Sequence, residues 1–317
     1  MKEPASRIPL PASREGQTFS GASRVIAYAN LVKLPHTIFA LPFALVGVVL
    51  ASYRRPLRLS DLGWVIAAFT AARFAAMAFN RIVDREIDQR NPRTSMRELP
   101  RGTLGVGETW IAVLIASGLF VFAASQLNAV CLALSPVALA WIFFYSYTKR
   151  FTRWSHLVLG GSLAIAPVGG YLAVAGVWSR PWWMLIALAI GVATWVAGFD
   201  IFYSLQDVAF DRAERLQSIP ASLGETLGIR VARLLHLMSI AALIAVGLTV
   251  GAGGWYWAGV VLAAALLFYE HSLVMPGDLG RLDAAFFTMN GMISLAFFFF
   301  VLMDRLMRTG GFGMRLP

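Results

Sequence analysis

Asn80, Asp84 and Asp88 recur every four residues, and Asp207 and Asp211 repeat that spacing later in the chain. Residues four apart on a helix stack on one face, about 6 Å per step. Each set is therefore a stripe of oxygen ligands. Carboxylates gathered in one place repel and raise each other's pKa. A hard divalent cation relieves that repulsion, and Mg²⁺ commonly joins one or two carboxylates to substrate phosphates. Two acidic pairs suit a pair of Mg²⁺ ions clamping a diphosphate. Taken singly, each pair also resembles a solvated helix end salted by its neighbouring arginines. Two pairs at matching positions favour the metal reading.

The basic residues nearby fit the same ligand. Arg93, Arg97, Arg101, Lys149, Arg150 and Arg215 lie in polar linkers close to the acidic stripes. Arginine binds phosphate bidentately and lysine acts as a point charge. Arg73, seven residues before Asn80, and Asp200, seven before Asp207, lie deeper in their apolar runs. They read either as a structural ion pair or as groups that position a second substrate. Phe143, Phe144, Tyr145, Tyr147, Phe199, Phe202, Tyr203 and Phe210 surround these motifs. Aromatic faces stabilise a cation once water is excluded, although packing accounts for most of them individually. His156, His236 and His271 have no metal-ligand spacing and read as helix-end or packing residues. There is no glycine-rich phosphate loop and no nucleophile elbow.

These residues must be positioned by elements of an unusual kind. Of 317 residues, 58% are hydrophobic and 14% charged, against about 45–50% and about 25% in soluble domains. The apolar residues form runs long enough to cross a hydrocarbon core. The reading is an all-α polytopic membrane protein of about nine spanning helices: Val25–Ser52, Leu62–Gln89, Glu108–Ser125, Asn128–Tyr147, Ser155–Val177, Pro181–Phe210, Thr226–Val250, Trp255–His271 and Leu282–Met307. Residues 1–20 read as a flexible polar tail without the apolar core of a signal peptide, and 21–317 as one domain. The single cysteine, Cys131, excludes an internal disulfide.

The net charge of +10 would suggest nucleic acid in a soluble protein. Here the cations fall between apolar runs, and no nucleic-acid motif accompanies them. Arginines and lysines gather in the tail and in the linkers after helices two, four and six. The positive-inside rule then places the N-terminus and these linkers in the cytoplasm. Arg54, Arg55 and Arg58, after helix one, run against this pattern. The acidic stripes close helices two and six, four helices apart, which suggests a pseudo-duplicated bundle with a site between its halves.

In this order the motifs resemble those of the UbiA-type membrane prenyltransferases, over almost the whole chain after residue 20. The match rests on three features. Asn80, Asp84 and Asp88 are followed by Asn91–Pro92–Arg93–Thr94 and Arg97–Glu98–Leu99–Pro100. Tyr145 precedes Lys149 and Arg150 by one turn. Asp207 and Asp211 lead into Ser218–Ile219–Pro220 and Gly224. Residues 36–42 (His36 to Pro42), 78–82 and 97–100 are similar to the 4-hydroxybenzoate polyprenyltransferase branch, which serves ubiquinone or menaquinone assembly. Ala209, Phe210 and Arg212 stand where many ubiquinone enzymes carry further acids, which leaves the acceptor open.

The resemblance implies a UbiA-like bundle in a bacterial-type inner membrane, with its site toward the cytoplasm. It implies a Mg²⁺-dependent enzyme that moves a polyprenyl chain from its diphosphate to an aromatic acid, 4-hydroxybenzoate or a related hydroxynaphthoate. Asp84, Asp88, Asp207 and Asp211 would hold Mg²⁺, and Asn80 the diphosphate. Arg93, Arg97 and Lys149 would neutralise the leaving group, with Tyr145 beside it. Lys33, His36 or Arg73 would meet an acceptor carboxylate. The alternatives are the same superfamily acting on haem, chlorophyllide, homogentisate or a glycerol lipid, and an ion-coupled transporter. A transporter usually binds near the membrane midplane on broken helices, whereas these acids lie at helix ends beside basic linkers.

Overall fold

The computed structural model describes residues 19–21, 23–275, 282 and 288–309. The expected tail falls mostly outside the described residues, as does the start of the last helix, drawn from Leu282. The described chain is helical: α1 (Arg24–Leu31), α2 (Leu34–Ser52), α3 (Leu59–Val83), α4 (Arg85–Arg90), α5 (Val106–Leu127), α6 (Ala129–Thr148), α7 (Ser155–Ala175), α8 (Trp183–Ser204), α9 (Val208–Ala213), α10 (Ile219–Leu223), α11 (Glu225–Thr249), α12 (Gly254–Leu273) and α13 (Asn290–Thr309). Eight segments are long and apolar enough to cross a membrane: α3, α5, α6, α7, α8 continued through α9, α11, α12 and α13. The 19-residue α2 adds the apolar stretch Ala40–Ser52. The protein is therefore an integral, multi-pass membrane protein.

Three of the expected helices are broken, and each break has a local cause. The first splits at Val32 and Lys33, where Lys33 adopts a left-handed backbone (φ 47°) and Pro35 starts α2. Proline lacks an amide proton, so it suits the first turn of a helix. The second breaks at Asp84 (φ −92°, ψ 3°), which caps α3 and begins α4. The sixth tightens into a 3₁₀ turn over Leu205–Asp207, and Asp207 (φ −100°, ψ 1°) begins α9. Asp84 and Asp207 thus share one backbone conformation, each at the head of a six-residue helix. The weak sequence repeat is a repeat of structure.

The helices pack through small residues, as expected where lipid offers no hydrophobic contrast. α8 lies between α7 and α11, and α2 lies against α7 and α13. At the α2–α7 crossing a β-carbon on Gly47 would collide with the Pro167 carbonyl, and one on Gly170 with that of Ala44. Phe43, Trp195, Tyr256 and Phe297 fill the centre, with Phe43 and Trp195 ring centroids 4.7 Å apart. The buried Tyr256 hydroxyl donates to the Leu243 carbonyl at 2.7 Å. On the outside, α5 and α6 expose Leu114, Leu119, Phe122, Val137 and Trp141, a surface that suits acyl chains rather than water.

Candidate active site

Both helix breaks lie at the same end of the bundle, and each brings its aspartates against arginines. Asn80 donates its amide to Asp84 Oδ2 at 2.8 Å, and Arg150 Nη2 reaches Asp84 Oδ1 at 3.0 Å. Asp88 is buried and accepts from Arg97 Nη1 at 2.6 Å. Arg81, buried within α3, donates to the Leu31 carbonyl at 3.3 Å and stands 4.0 Å from Asp88 Oδ2. Burial, and after it the Asp88 charge, push the Asp84 carboxyl above its ordinary pKa despite Arg150 and Lys149.

The second pair is gripped from the first half of the chain. Arg93 Nε donates to Asp207 Oδ1 at 2.9 Å, and its Nη2 pairs with Oδ2. Its remaining nitrogen donates to the Tyr203 hydroxyl at 2.8 Å. The Asn91 amide adds a 3.2 Å bond to Asp207 Oδ1. Arg90 reaches Glu214 at 2.9 Å, closing the same seam. Asp211 is buried, close to Ser218. The linker that follows the first motif therefore ties the second motif down.

Lys149 stands between the two motifs. Burial works against its charge, but Asp211, Asp200, Asp207 and Asp84 outweigh it and hold its ammonium above the ordinary lysine pKa. Tyr145, one turn earlier on α6, lies within the fields of Asp200, Asp84, Arg81 and Arg97. The backbone amide of Gln217, after α9, donates to the Lys149 carbonyl at 2.7 Å, fixing this helix end against the second motif.

The structure thus brings Asn80, Asp84, Asp88, Arg93, Arg97, Tyr145, Lys149, Asp207 and Asp211 to one end of the bundle. It leaves Arg101 and Arg215 exposed. Arg73 lies two turns deeper on α3, as its spacing requires. The Lys33 ammonium sits 6.0 Å from the centroid of Tyr203, whereas the His36 side chain is outside the described residues. Among the described residues no three Asp, Glu, His or Cys groups converge as a ready-made metal cage. Guanidinium groups pair with Asp84, Asp88 and Asp207.

Sequence reasoning missed His156. It lies at a helix end, one of the two places expected for it, but its Nδ1 also meets Asp200 Oδ2 at 2.7 Å while the Ile219 amide donates to its Nε2 at 3.2 Å. Nε2 is therefore the lone-pair nitrogen, and the ring proton on Nδ1 goes to Asp200. The available signal was an imidazole opening an apolar helix, where its nitrogens need buried partners. Tyr203 and Asn91 were also unassigned, although Asn91 stood inside a motif already noticed.

Metal can be tested against this donor set. Asp88 Oδ2 and Asp211 Oδ2 are buried without a hydrogen-bond donor. Leaving a buried carboxylate oxygen unsatisfied costs about 1–3 kcal/mol or more. One such oxygen stands in each motif, and both are hard donors of the type Mg²⁺ prefers. The residues fit a divalent cation in each half.

Comparison with known proteins bears on the fold and the family. The UbiA prenyltransferase family matches residues 40–300. The 4-hydroxybenzoate octaprenyltransferase of Nitrosospira multiformis is 28% identical over 292 residues, covering 90% of this chain and 98% of its own. That of Xanthomonas campestris pv. campestris is 30% identical over 240 residues, covering 74% and 78%. The structure of a UbiA homologue from Aeropyrum pernix superposes with a TM-score of 0.78 at 34% identity, covering 85% of this chain and 98% of that one. A UbiA homologue from Archaeoglobus fulgidus, bound to DMAPP and Mg²⁺, shares the fold at a TM-score of 0.69 and 18% identity, covering 88% and 99%. With the two broken helices, their aspartates and the arginines between them in place, the chain belongs to the UbiA prenyltransferase family.

Proposed function

We propose that this protein transfers a polyprenyl chain from its diphosphate to the ring of 4-hydroxybenzoate or a closely related hydroxynaphthoate, in the assembly of a respiratory quinone. The observation that carries the reading is the pair of aspartate motifs at one end of the bundle, the second gripped by Arg93 from the linker that follows the first, with Lys149 in the field of both. Such a site is built to receive a multiply charged anion together with cations. The names of the Nitrosospira and Xanthomonas relatives support the acceptor class, and the Archaeoglobus homologue supports a prenyl diphosphate with Mg²⁺.

Asp84, Asp88, Asp207 and Asp211 would hold Mg²⁺, with the orphaned oxygens of Asp88 and Asp211 as its first ligands. Bound there, the metal supplies Lewis-acid stabilisation of negative charge on the leaving oxygen. Arg93, Arg97, Arg150 and Lys149 take up the diphosphate charge as the allylic C–O bond breaks and its electron pair leaves with oxygen. Asn80 orients the diphosphate. Tyr145 and Tyr203 present aromatic faces to the allylic cation. The acceptor ring attacks ortho to its hydroxyl, then loses a proton and regains aromaticity. Arg73, deeper in the bundle, or Lys33 or His36 would bind the acceptor carboxylate. The excess of Lys and Arg around the motifs supports a cytoplasmic site and N-terminus in a bacterial inner membrane.

The test is a transfer assay on purified protein in lipid, with Mg²⁺, a long-chain prenyl diphosphate and a panel of aromatic acids. Product that needs Mg²⁺ and vanishes in Asp84→Ala and Asp207→Ala is expected, with a hydroxybenzoate or hydroxynaphthoate preferred. Diphosphate release without prenylation of any acid would overturn the acceptor class. A folded protein that neither binds nor ionises prenyl diphosphate would overturn the reaction.

A further inference from the structure

The proposed function leaves Arg54, Arg55 and Arg58 without a role. They follow α2, at the end of the bundle opposite the aspartates. α8 fixes the separation: Arg180 precedes it and Asp207 follows it. Its 22 residues span about 33 Å. Arginines are ordinarily sparse on one of the two faces of a membrane protein, yet here they gather on both.

Several cations on this face are used within the protein. Arg305 donates to the Ser52 hydroxyl and carbonyl, both at 2.9 Å. Arg308 stands 3.8 Å from Asp304, and Arg55 reaches the Val174 carbonyl at 3.4 Å. Arg54 and Arg180 are different. Arg54 donates to the Arg180 carbonyl, which ties the turn after α2 to the turn before α8. Both side chains are exposed, and the Arg180 guanidinium has no hydrogen-bond or ion-pair partner among the described residues.

The two arginines border a cavity of about 340 Å³ between the ends of α2, α8 and α11. Its walls include Leu50, Tyr53, Met184 and Val250, and among the described residues no carboxylate lines it. This volume lies within the roughly 300–1,000 Å³ of ligand pockets. Trp178, Trp182 and Trp183 are exposed beside it. Tryptophans cluster at headgroup depth, so the cavity opens where lipid phosphates lie.

We propose that this cavity binds the phosphodiester headgroup of an anionic phospholipid. Arg54 and Arg180 contact its phosphate oxygens, and Leu50, Met184 and Val250 contact the first methylenes of its acyl chains. Basic pockets between membrane helices bind such headgroups by this chemistry, and the guanidinium fork matches phosphate. The site is separate from the aspartates, so it stands independently of the reaction proposed above.

Native mass spectrometry of the full chain tests this, with phosphatidylglycerol and phosphatidylcholine offered together from mixed micelles. The wild-type protein should retain phosphatidylglycerol in preference. Arg54→Ala with Arg180→Ala should weaken that retention roughly thirtyfold, whereas Arg54→Lys with Arg180→Lys should keep most of it. Equal retention of the two lipids by the wild type, an arm that needs no variant, would overturn the proposal. So would unchanged retention in the double alanine variant. Inorganic phosphate bound as tightly as phosphatidylglycerol would make this a free-anion site and overturn the lipid assignment.

Discussion

Arg93 grips Asp207 with two nitrogens across 114 residues of chain. A two-pronged pair of this kind fixes the angle as well as the distance between its partners. The α4–α5 linker is thereby docked onto the turn between α8 and α9, and the two aspartate motifs share one end of the bundle.

Removing the fork should be felt in turnover. Arg93→Ala is expected to lower kcat/KM by about 10²–10³, measured as Mg²⁺-dependent transfer in lipid. Arg93→Lys should recover little, because an ammonium cannot reach Asp207 bidentately and Tyr203 at once.

The orphaned oxygens give a separate expectation for the metal. Chelation should abolish transfer, and added Mg²⁺ should restore it. Asp88→Asn and Asp211→Asn should each raise the Mg²⁺ needed for half-maximal rate by about tenfold or more. An unchanged Mg²⁺ titration in both variants would remove these oxygens from the metal site.

His156 and Asp200 should be coupled. His156→Ala leaves the part-buried Asp200 carboxylate without its donor and is expected to cost about 1–2 kcal/mol, read from thermal unfolding in detergent. Asp200→Asn should cost less when His156 is already gone, and the double-mutant cycle measures the difference.

The α2–α7 crossing has no room for a side chain at Gly47. Gly47→Val should destabilise the protein by about 1–3 kcal/mol, because its first carbon already collides with the backbone of Pro167. Transfer per folded molecule should change far less than the melting temperature.

Much of this site was legible because carboxylates in apolar helices are conspicuous. The spacing of Asp84, Asp88, Asp207 and Asp211 gave their helix ends and their pairing. Length and hydropathy gave the helices, to within a few residues at most ends. The breaks at Lys33, Asp84 and Leu205–Asp207 were not visible, because Asp84 still takes a helical bond from its amide to the Asn80 carbonyl at 2.9 Å. A stripe with period four therefore reads as continuous helix on either side of the break. The partners of the acids were hidden for a different reason. Arg93, Arg97 and Arg150 lie in linkers, and sequence spacing does not say which carboxylate a linker reaches. Nor does it distinguish a histidine that packs from one that orients Asp200.

Arg93, Arg97 and Arg150 each hold a carboxylate of the chain itself. The site is an internal salt, its countercharges supplied by its own arginines. On the proposed function, loading it would be a metathesis: the aspartates would exchange guanidinium for metal, and the guanidiniums would exchange carboxylate for phosphate. The free energy of that exchange is a difference between two sets of close contacts. Monovalent salt screens exposed charges far more than buried ones, so it has little hold on the Arg93–Asp207 and Arg97–Asp88 contacts, which are better shielded than Arg150–Asp84. Substrate capture here should be governed by the supply of Mg²⁺ and diphosphate, and hardly by ionic strength.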